Sequence, residues 1–233
     1  MNTALKVPLF LTLLVSVCCF PASVFAQSDQ AKIQVSCFSK DGKKLMGEEI
    51  SFHSEKSGKV TLGITDENGQ FNCQLKGPDQ YLIKVKSLTG LTDYTRFILP
   101  TLAANHQYGT YEISVEIEPG YEFTLDNVYF ETASAKLKEK SFAELDELVE
   151  FMQRKQTAVI EIQGHTDSEG SEEDNQVLSE NRASSVRTYL LNKGIAPERV
   201  KSKGFGESQP IADNSTEQGR ALNRRTTVLV LKQ

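Results

Sequence analysis

The chain contains no tryptophan, and aromatic residues make up only 8% of its 233 positions. A carbohydrate site built on stacked indoles is therefore excluded. Histidine is as scarce. His53, His106 and His165 are the only three, and they lie too far apart in sequence for a metal-ligand spacing. There is no Gly-rich phosphate loop, no nucleophile–base set, no cofactor motif, no internal repeat and no low-complexity stretch. Basic charge is not in excess either. The 26 Lys and Arg face 31 Asp and Glu, for a net charge of −5, so counterion release offers little and nucleic acid is not expected as a partner. What is present is an ordinary globular mixture, 39% hydrophobic and 24% charged, which predicts a packed fold rather than disorder.

Only one long apolar run occurs. Lys6 precedes residues 7–20, an almost unbroken hydrophobic segment with the length of a signal-peptide core and short of a membrane span. Pro21 breaks it, and Val24-Phe25-Ala26 has the small-residue pattern cut by signal peptidase. The expected mature chain starts at Gln27, after a signal peptide of residues 1–26. The alternatives are an uncleaved anchor helix and a lipoprotein using Cys18 or Cys19. The second has Val17 where Gly, Ala or Ser is usual. Cleavage removes two of the four cysteines. Cys37 and Cys73 remain in an oxidising compartment, which predicts one disulfide between them. Both fall on the apolar phase of their strands, so they can meet if those strands are neighbours, and closing that loop would stabilise by roughly 4 kcal/mol in the chain-entropy model. Two buried thiols are the alternative.

The rest of the chain has two grammars, and the fold class read from them is α+β. Residues 27–118 alternate with period two: Ile33, Val35, Cys37; Ile50, Phe52; Val60, Leu62, Ile64; Phe71, Cys73, Leu75; Tyr81, Ile83, Val85; Phe97, Leu99; and Tyr111, Ile113, Val115, Ile117. Turn signals separate the runs at Asp41-Gly42, at Asp66-Glu67-Asn68-Gly69 and at Gly77-Pro78-Asp79. About seven short strands predict an antiparallel β-sandwich. After Pro119-Gly120, residues 119–233 alternate strands with helices. A strand at Val128-Tyr129-Phe130 is followed by a helix carrying Phe142, Leu145, Leu148, Val149 and Met152, with Ser141 and Glu144 at capping-box spacing. A strand at residues 158–162 leads through a polar loop into a second helix. Leu178, Arg182, Ala183, Val186 and Leu190 share one face of it, and Gly194 ends it. Strands near 200–205 and 226–231 close an α/β sandwich of order βαβαββ, a mixed sheet with helices on one face.

Short turn-centred segments carry a first resemblance: Asp41-Gly42-Lys43-Lys44-Leu45, Thr65-Asp66-Glu67-Asn68-Gly69-Gln70-Phe71 and the turn from Gly77 to Tyr81. On these, residues 27–118 resemble carboxypeptidase-regulatory-like or transthyretin-like sandwiches, a likeness that speaks to fold and not to function.

The second half carries more. Gly164-His165-Thr166-Asp167, the run from Asn175 to Ala183, Gly204-Phe205-Gly206-Glu207-Ser208-Gln209-Pro210 and Asn223-Arg224-Arg225 occur in this order. From about residue 121 to the C-terminus the chain resembles the OmpA-like C-terminal domain, the peptidoglycan-binding module of outer-membrane anchors, Pal-type lipoproteins and flagellar stators. The resemblance implies an envelope protein, periplasmic and associated with the outer membrane, that holds peptidoglycan non-covalently and is not an enzyme. No cofactor is implied. It implies further that Asp167 accepts from the ammonium of diaminopimelate in the stem peptide and that Arg182, offered from the second turn of its helix, forks onto the carboxylate, as lysine cannot. Asn175 and Thr166 would line the pocket, Arg224 would add a contact, and Arg225 would brace the fold. His165 reads as a loop-packing residue. One departure concerns Glu131-Thr132-Ala133-Ser134-Ala135, where the family often has a polar ligand contact; here that contact is either absent or taken over by Thr132 or Ser134.

Each of these residues has a plainer role when taken alone: Asp167 as a turn former, Arg182 as a partner of Glu180 or Asp174. Two other functions compete. A wall hydrolase would use Asp167 and a nearby Glu as acid and base. A stator-like structural protein would need an intact membrane helix. The β-sandwich is expected to face another envelope protein, such as one in the outer membrane.

Overall fold

The computed structural model describes residues 29–88, 90–118 and 122–232. The expected signal peptide and the Pro119-Gly120 junction lie outside these residues. The chain divides into two compact units, Met1–Pro119 and Gly120–Gln233.

The first unit has seven strands: β1 (Gln30–Phe38), β2 (Glu49–Ser54), β3 (Val60–Ile64), β4 (Gln70–Lys76), β5 (Asp79–Ser87), β6 (Gly90–Leu99) and β7 (Thr110–Glu116). They form two sheets, ordered β4-β1-β7 and β3-β2-β5-β6. Alternation decides what each strand buries. Ala31, Ile33, Val35 and Cys37 of β1 join Ile50 and Phe52 of β2, Ile83 of β5 and Ile113 and Val115 of β7 in one core between the sheets. The turn before β4 is tied by Asp66, whose Oδ1 accepts from the backbone N–H of Asn68 and of Gln70, both at 2.9 Å.

Two expectations are corrected here. The sandwich is not wholly antiparallel, because β1 and β7 pair in parallel, Val35 opposite Ile113. Nor do Cys37 and Cys73 form a disulfide. Their strands are neighbours and both side chains face the core, but Cys73 stands opposite Ile33, four positions from Cys37. At a strand rise of roughly 3.3 Å per residue that is about 13 Å, well beyond the ~7 Å Cα separation a disulfide spans. The phase was right and the register keeps the sulfurs apart.

The second unit runs β8 (Glu122–Thr124), α1 (Phe142–Arg154), β9 (Val159–Gly164), α2 (Glu172–Asn192), β10 (Val200–Gly204), α3 (Glu217–Asn223) and β11 (Thr226–Lys232). Its sheet is ordered β10-β9-β11-β8 and is mixed: β9 and β10 are parallel, and β11 is antiparallel to both β9 and β8. α2 lies across β9 and β10 with α1 beside it. Residues Asn175, Ser179, Ala183, Val186 and Leu190, at spacings of three and four, make the buried face of α2. Its end is a Schellman motif, with Ile195 N–H donating to the Leu190 carbonyl at 3.1 Å and Gly194 N–H to Leu191 at 2.9 Å.

Three local expectations change. The first strand is Glu122–Thr124, where Phe123 pairs with Val228. Val128-Tyr129-Phe130 is a loop segment pinned by Ser141, whose Oγ accepts from Tyr129 N–H at 2.8 Å and donates to the Tyr129 carbonyl at 3.0 Å. Ser141 is thus not free to cap α1, which starts instead from a 3₁₀ turn at Glu139–Ser141. Glu144 does not close a capping box either, since its carboxylate accepts from the backbone N–H of Asp126 and Asn127. Finally, a third helix, α3, occupies the stretch before β11, started by Thr216, whose Oγ1 accepts from Gly219 N–H at 3.0 Å.

Candidate functional site

The motifs that stand apart in sequence converge at one end of the second sheet. β9 runs directly into His165-Thr166-Asp167, and this loop is sewn to both neighbouring strands. His165 N–H donates to the Arg225 carbonyl at 3.0 Å before β11, and Thr166 N–H to the Gly206 carbonyl at 2.8 Å after β10. The His165 imidazole stacks on Phe205, with centroids 5.3 Å apart and planes 7° from parallel. It is a packing residue. Burial, with Arg225 adding to it, pushes its pKa down to about 4.

Two glycines let α2 come close enough to present its side chains to this loop. A Cβ at Gly164 would lie 2.3 Å from the Ser179 carbonyl oxygen, and one at Gly204 would lie 2.4 Å from the Glu180 amide nitrogen. α2 is capped by Ser171, whose Oγ accepts from Asp174 N–H at 3.0 Å. Counted from Glu172, Arg182 lies about three turns into the helix, rather than on its second turn.

Asp167 is buried, 6% exposed. Its Oδ2 accepts from Arg224 Nη1 at 2.6 Å and its Oδ1 from Glu169 N–H at 3.1 Å. Arg224 in turn donates through Nη2 to Glu217 at 2.8 Å. Glu217 also holds Arg220 at 2.8 Å, and Arg220 lies 3.1 Å from Glu169. The result is an alternating chain, Asp167–Arg224–Glu217–Arg220–Glu169. The carboxylates of Asp167, then of Glu217, hold the Arg224 guanidinium pKa above its ordinary value, and Arg224 followed by Arg220 lowers that of Glu217. Reading the sequence missed Glu217 because it missed α3. The only local signal was Thr216, a capping residue type, two turns before Arg224.

Arg182 approaches from α2. Its Nε donates to the Ser134 carbonyl at 3.1 Å, and its guanidinium carbon lies 5.1 Å from the centre of the Phe130 ring. Burial lowers its pKa, opposed by the charge of Asp167 and assisted by that of Arg224, so the three charges feel one another. Its two terminal amino groups make no hydrogen bond among the described residues. Neither Glu180 nor Asp174 is its partner. Glu180 accepts from Gln176, and Asp174 is engaged by Ser171. The segment whose ligand contact was expected to be either absent or taken over by Thr132 or Ser134 contributes the Ser134 backbone carbonyl, which holds Arg182.

Asn175 spends its amide protons on the loop: Nδ2 lies 2.6 Å from Glu207 Oε2, 3.1 Å from the Glu169 carbonyl and 3.3 Å from that of Asp167. Only its Oδ1 is left for a ligand. Thr166 is buried, and its Oγ1 has no hydrogen-bond partner among the described residues. Arg225 donates to the Gln209 carbonyl at 3.2 Å. The arrangement offers a fixed buried carboxylate, an open guanidinium fork and a spare hydroxyl. It suits a small ligand carrying both charges. No group of three His, Cys, Asp or Glu fit to hold a metal occurs among the described residues.

Residues 129–224 match the OmpA family. Over 100 residues the chain is 45% identical to outer membrane porin F of Pseudomonas aeruginosa, covering 42% of this chain and 29% of the porin. Over 104 residues it is 31% identical to the peptidoglycan-associated lipoprotein of Buchnera aphidicola, covering 45% of this chain and 60% of the lipoprotein. The chain thus spans less than two thirds of either relative. Among solved structures, the peptidoglycan-associated lipoprotein of Burkholderia pseudomallei aligns at 28% identity and a TM-score of 0.41, over 46% of this chain and 88% of that one.

Proposed function

We propose that the second unit grips peptidoglycan non-covalently through the zwitterionic end of diaminopimelate, and that the protein tethers the envelope to the wall from the periplasmic side of the outer membrane. The observation that carries this reading is the open fork of Arg182 beside the buried Asp167. The fork would take the ligand carboxylate through two parallel hydrogen bonds, and Asp167 would accept from the ammonium. Thr166 Oγ1 and Asn175 Oδ1 would complete the polar lining. Arg224 would act mainly by holding Asp167 in place. The match of residues 129–224 to the OmpA family and the 31% identity to a peptidoglycan-associated lipoprotein support the same assignment.

Residues 1–26 would direct export and be removed. Residues 27–118 would form a separate sandwich domain of the carboxypeptidase-regulatory-like or transthyretin-like kind, with the wall-binding domain over 119–233. The sandwich faces would be available to another envelope protein. The protein would be a binding module and not an enzyme, so the purified chain should release no muropeptides from isolated wall. Mass spectrometry should find the mature N-terminus at Gln27.

Calorimetric titration with soluble stem peptides tests the site. A few charge-assisted hydrogen bonds, at about 1.5–3 kcal/mol each less the cost of association, place single-site affinity on the order of micromolar to millimolar. A peptide with lysine in place of diaminopimelate lacks the carboxylate and should bind roughly tenfold more weakly or worse. Equal affinities would remove Arg182 from the site.

A further inference from the structure

We infer that the protein self-associates through the open edge of β3, pairing antiparallel with β3 of a second copy. β3 ends its sheet, in the order β3-β2-β5-β6, and no strand is hydrogen-bonded along its other side among the described residues; β4, of the other sheet, packs against it through Phe71. Its sequence, Val60-Thr61-Leu62-Gly63-Ile64, turns its apolar set outward. Val60, Leu62 and Ile64 are 47%, 59% and 44% exposed, whereas Thr61 and Gly63 face inward, with the Phe71 ring closing over Gly63. An uncharged, branched, proline-free edge strand is what natural sheets ordinarily avoid. The opposite edge shows the usual protection. β6 carries Asp93 and Arg96, ion-paired to Lys84 and Glu55, and its pairing with β5 shifts register at Ile83/Lys84.

The backbone agrees with the side chains. Ser54 N–H donates to the Lys59 carbonyl and Thr65 N–H to that of Glu48, fixing 54/59 and 48/65 as bonded pairs. Bonded pairs alternate in an antiparallel ladder, so Thr61 and Gly63 bond to Phe52 and Ile50. The N–H and C=O groups of Val60, Leu62 and Ile64 therefore point away from β2, on the same residues whose side chains are exposed.

The second copy is the occupant that fits. In an antiparallel pair centred on Leu62, Leu62 meets its own counterpart and Val60 meets Ile64, so every outward backbone group finds a partner and six branched side chains form one stripe. The flanks are complementary as well. Lys56 and Lys59 precede the strand and Asp66 and Glu67 follow it, so two-fold pairing lays each basic flank against an acidic one. A dimer would carry two copies of the second unit, letting a weak single-site affinity act twice. That consequence rests on the peptidoglycan reading, and the pairing itself does not.

Sedimentation equilibrium of the purified protein tests this without any ligand. The wild type should show a concentration-dependent monomer–dimer equilibrium. Lys59→Glu and Glu67→Lys, both at exposed positions, should each raise the dimer dissociation constant roughly tenfold, because two symmetry-related charge pairs become repulsive. The double variant should return to within about threefold of wild type, a rescue that simple misfolding cannot produce. Leu62→Lys should abolish the dimer. A monomer at all concentrations, or single charge reversals without effect, would overturn the pairing and leave the edge to a strand from a different protein. Failure of the double variant to recover would overturn the antiparallel register.

Discussion

Replacing Arg182 with lysine isolates the fork from the charge. Lysine keeps the positive charge near Asp167 and Arg224 but has one ammonium where arginine divides its work. In the structure Nε is committed to the Ser134 carbonyl at 3.1 Å, the guanidinium carbon lies over the Phe130 ring, and the two terminal amino groups remain open. A lysine ammonium can hold either the carbonyl or a ligand carboxylate in good geometry, so at least one charge-assisted hydrogen bond is lost. That bond is worth about 1.5–3 kcal/mol, roughly ten- to 150-fold in affinity. Because the guanidinium is only half-buried, solvent screens part of this and the lower end, about tenfold, is expected. Calorimetry with a diaminopimelate-containing stem peptide should show the loss with little change in melting temperature. Affinity within about twofold of wild type would refute the bidentate role and reduce Arg182 to a point charge.

Other predictions concern stability. Burial and then the Arg225 charge depress the His165 pKa to about 4 from an unfolded value of 6.5, so the unfolded chain protonates first as pH falls. The stability this residue contributes is complete above pH 6.5 and is lost down to pH 4, by about 3 kcal/mol. His165→Phe keeps the stack on Phe205 and should flatten urea-unfolding stability across that window, and an unchanged acid slope would contradict the assignment. Gly164→Ala drives a Cβ against the Ser179 carbonyl and should cost about 1–3 kcal/mol or more, seen as a lower urea midpoint. A midpoint equal to wild type would mean α2 can retreat freely. Dithiothreitol should leave the melting temperature unchanged, and Cys73, whose thiol burial pushes up to about 11, should alkylate slowly. A drop of several degrees on reduction would show that a disulfide forms after all.

Periodic patterns were legible and partners were not. The alternation at Ile33, Val35 and Cys37 identified a buried strand face, and the spacing of Leu145, Leu148, Val149 and Met152 identified α1, because burial follows local geometry. Alternation says nothing about which strand lies next to which or in what register. The parallel β1–β7 pair and the four-residue offset between Cys37 and Cys73 were therefore invisible. Ser141 and Glu144 had the right spacing for a capping box, but a distant segment, Asp126 to Tyr129, took both side chains. α3 is only seven residues long, too short for a periodic signal, and with it went Glu217, which orders Arg224. At the candidate site, the joint motif singled out Asp167, Arg182 and Arg224, and the structure brings their charges together. Asn175 was placed near the ligand, but its amide mainly braces the loop. Phe130, Ser134 and Glu207 stood in segments already singled out, but their roles beside Arg182 and Asn175 exist only once the loops converge.

The most direct test of the central claim is a pull-down of the purified protein on diaminopimelate-type sacculi, comparing wild type with Asp167→Ala and Arg182→Ala. Wild type should sediment with the wall while both folded variants stay in the supernatant. Wild-type protein left in the supernatant, or variants that sediment as fully as wild type, would contradict it.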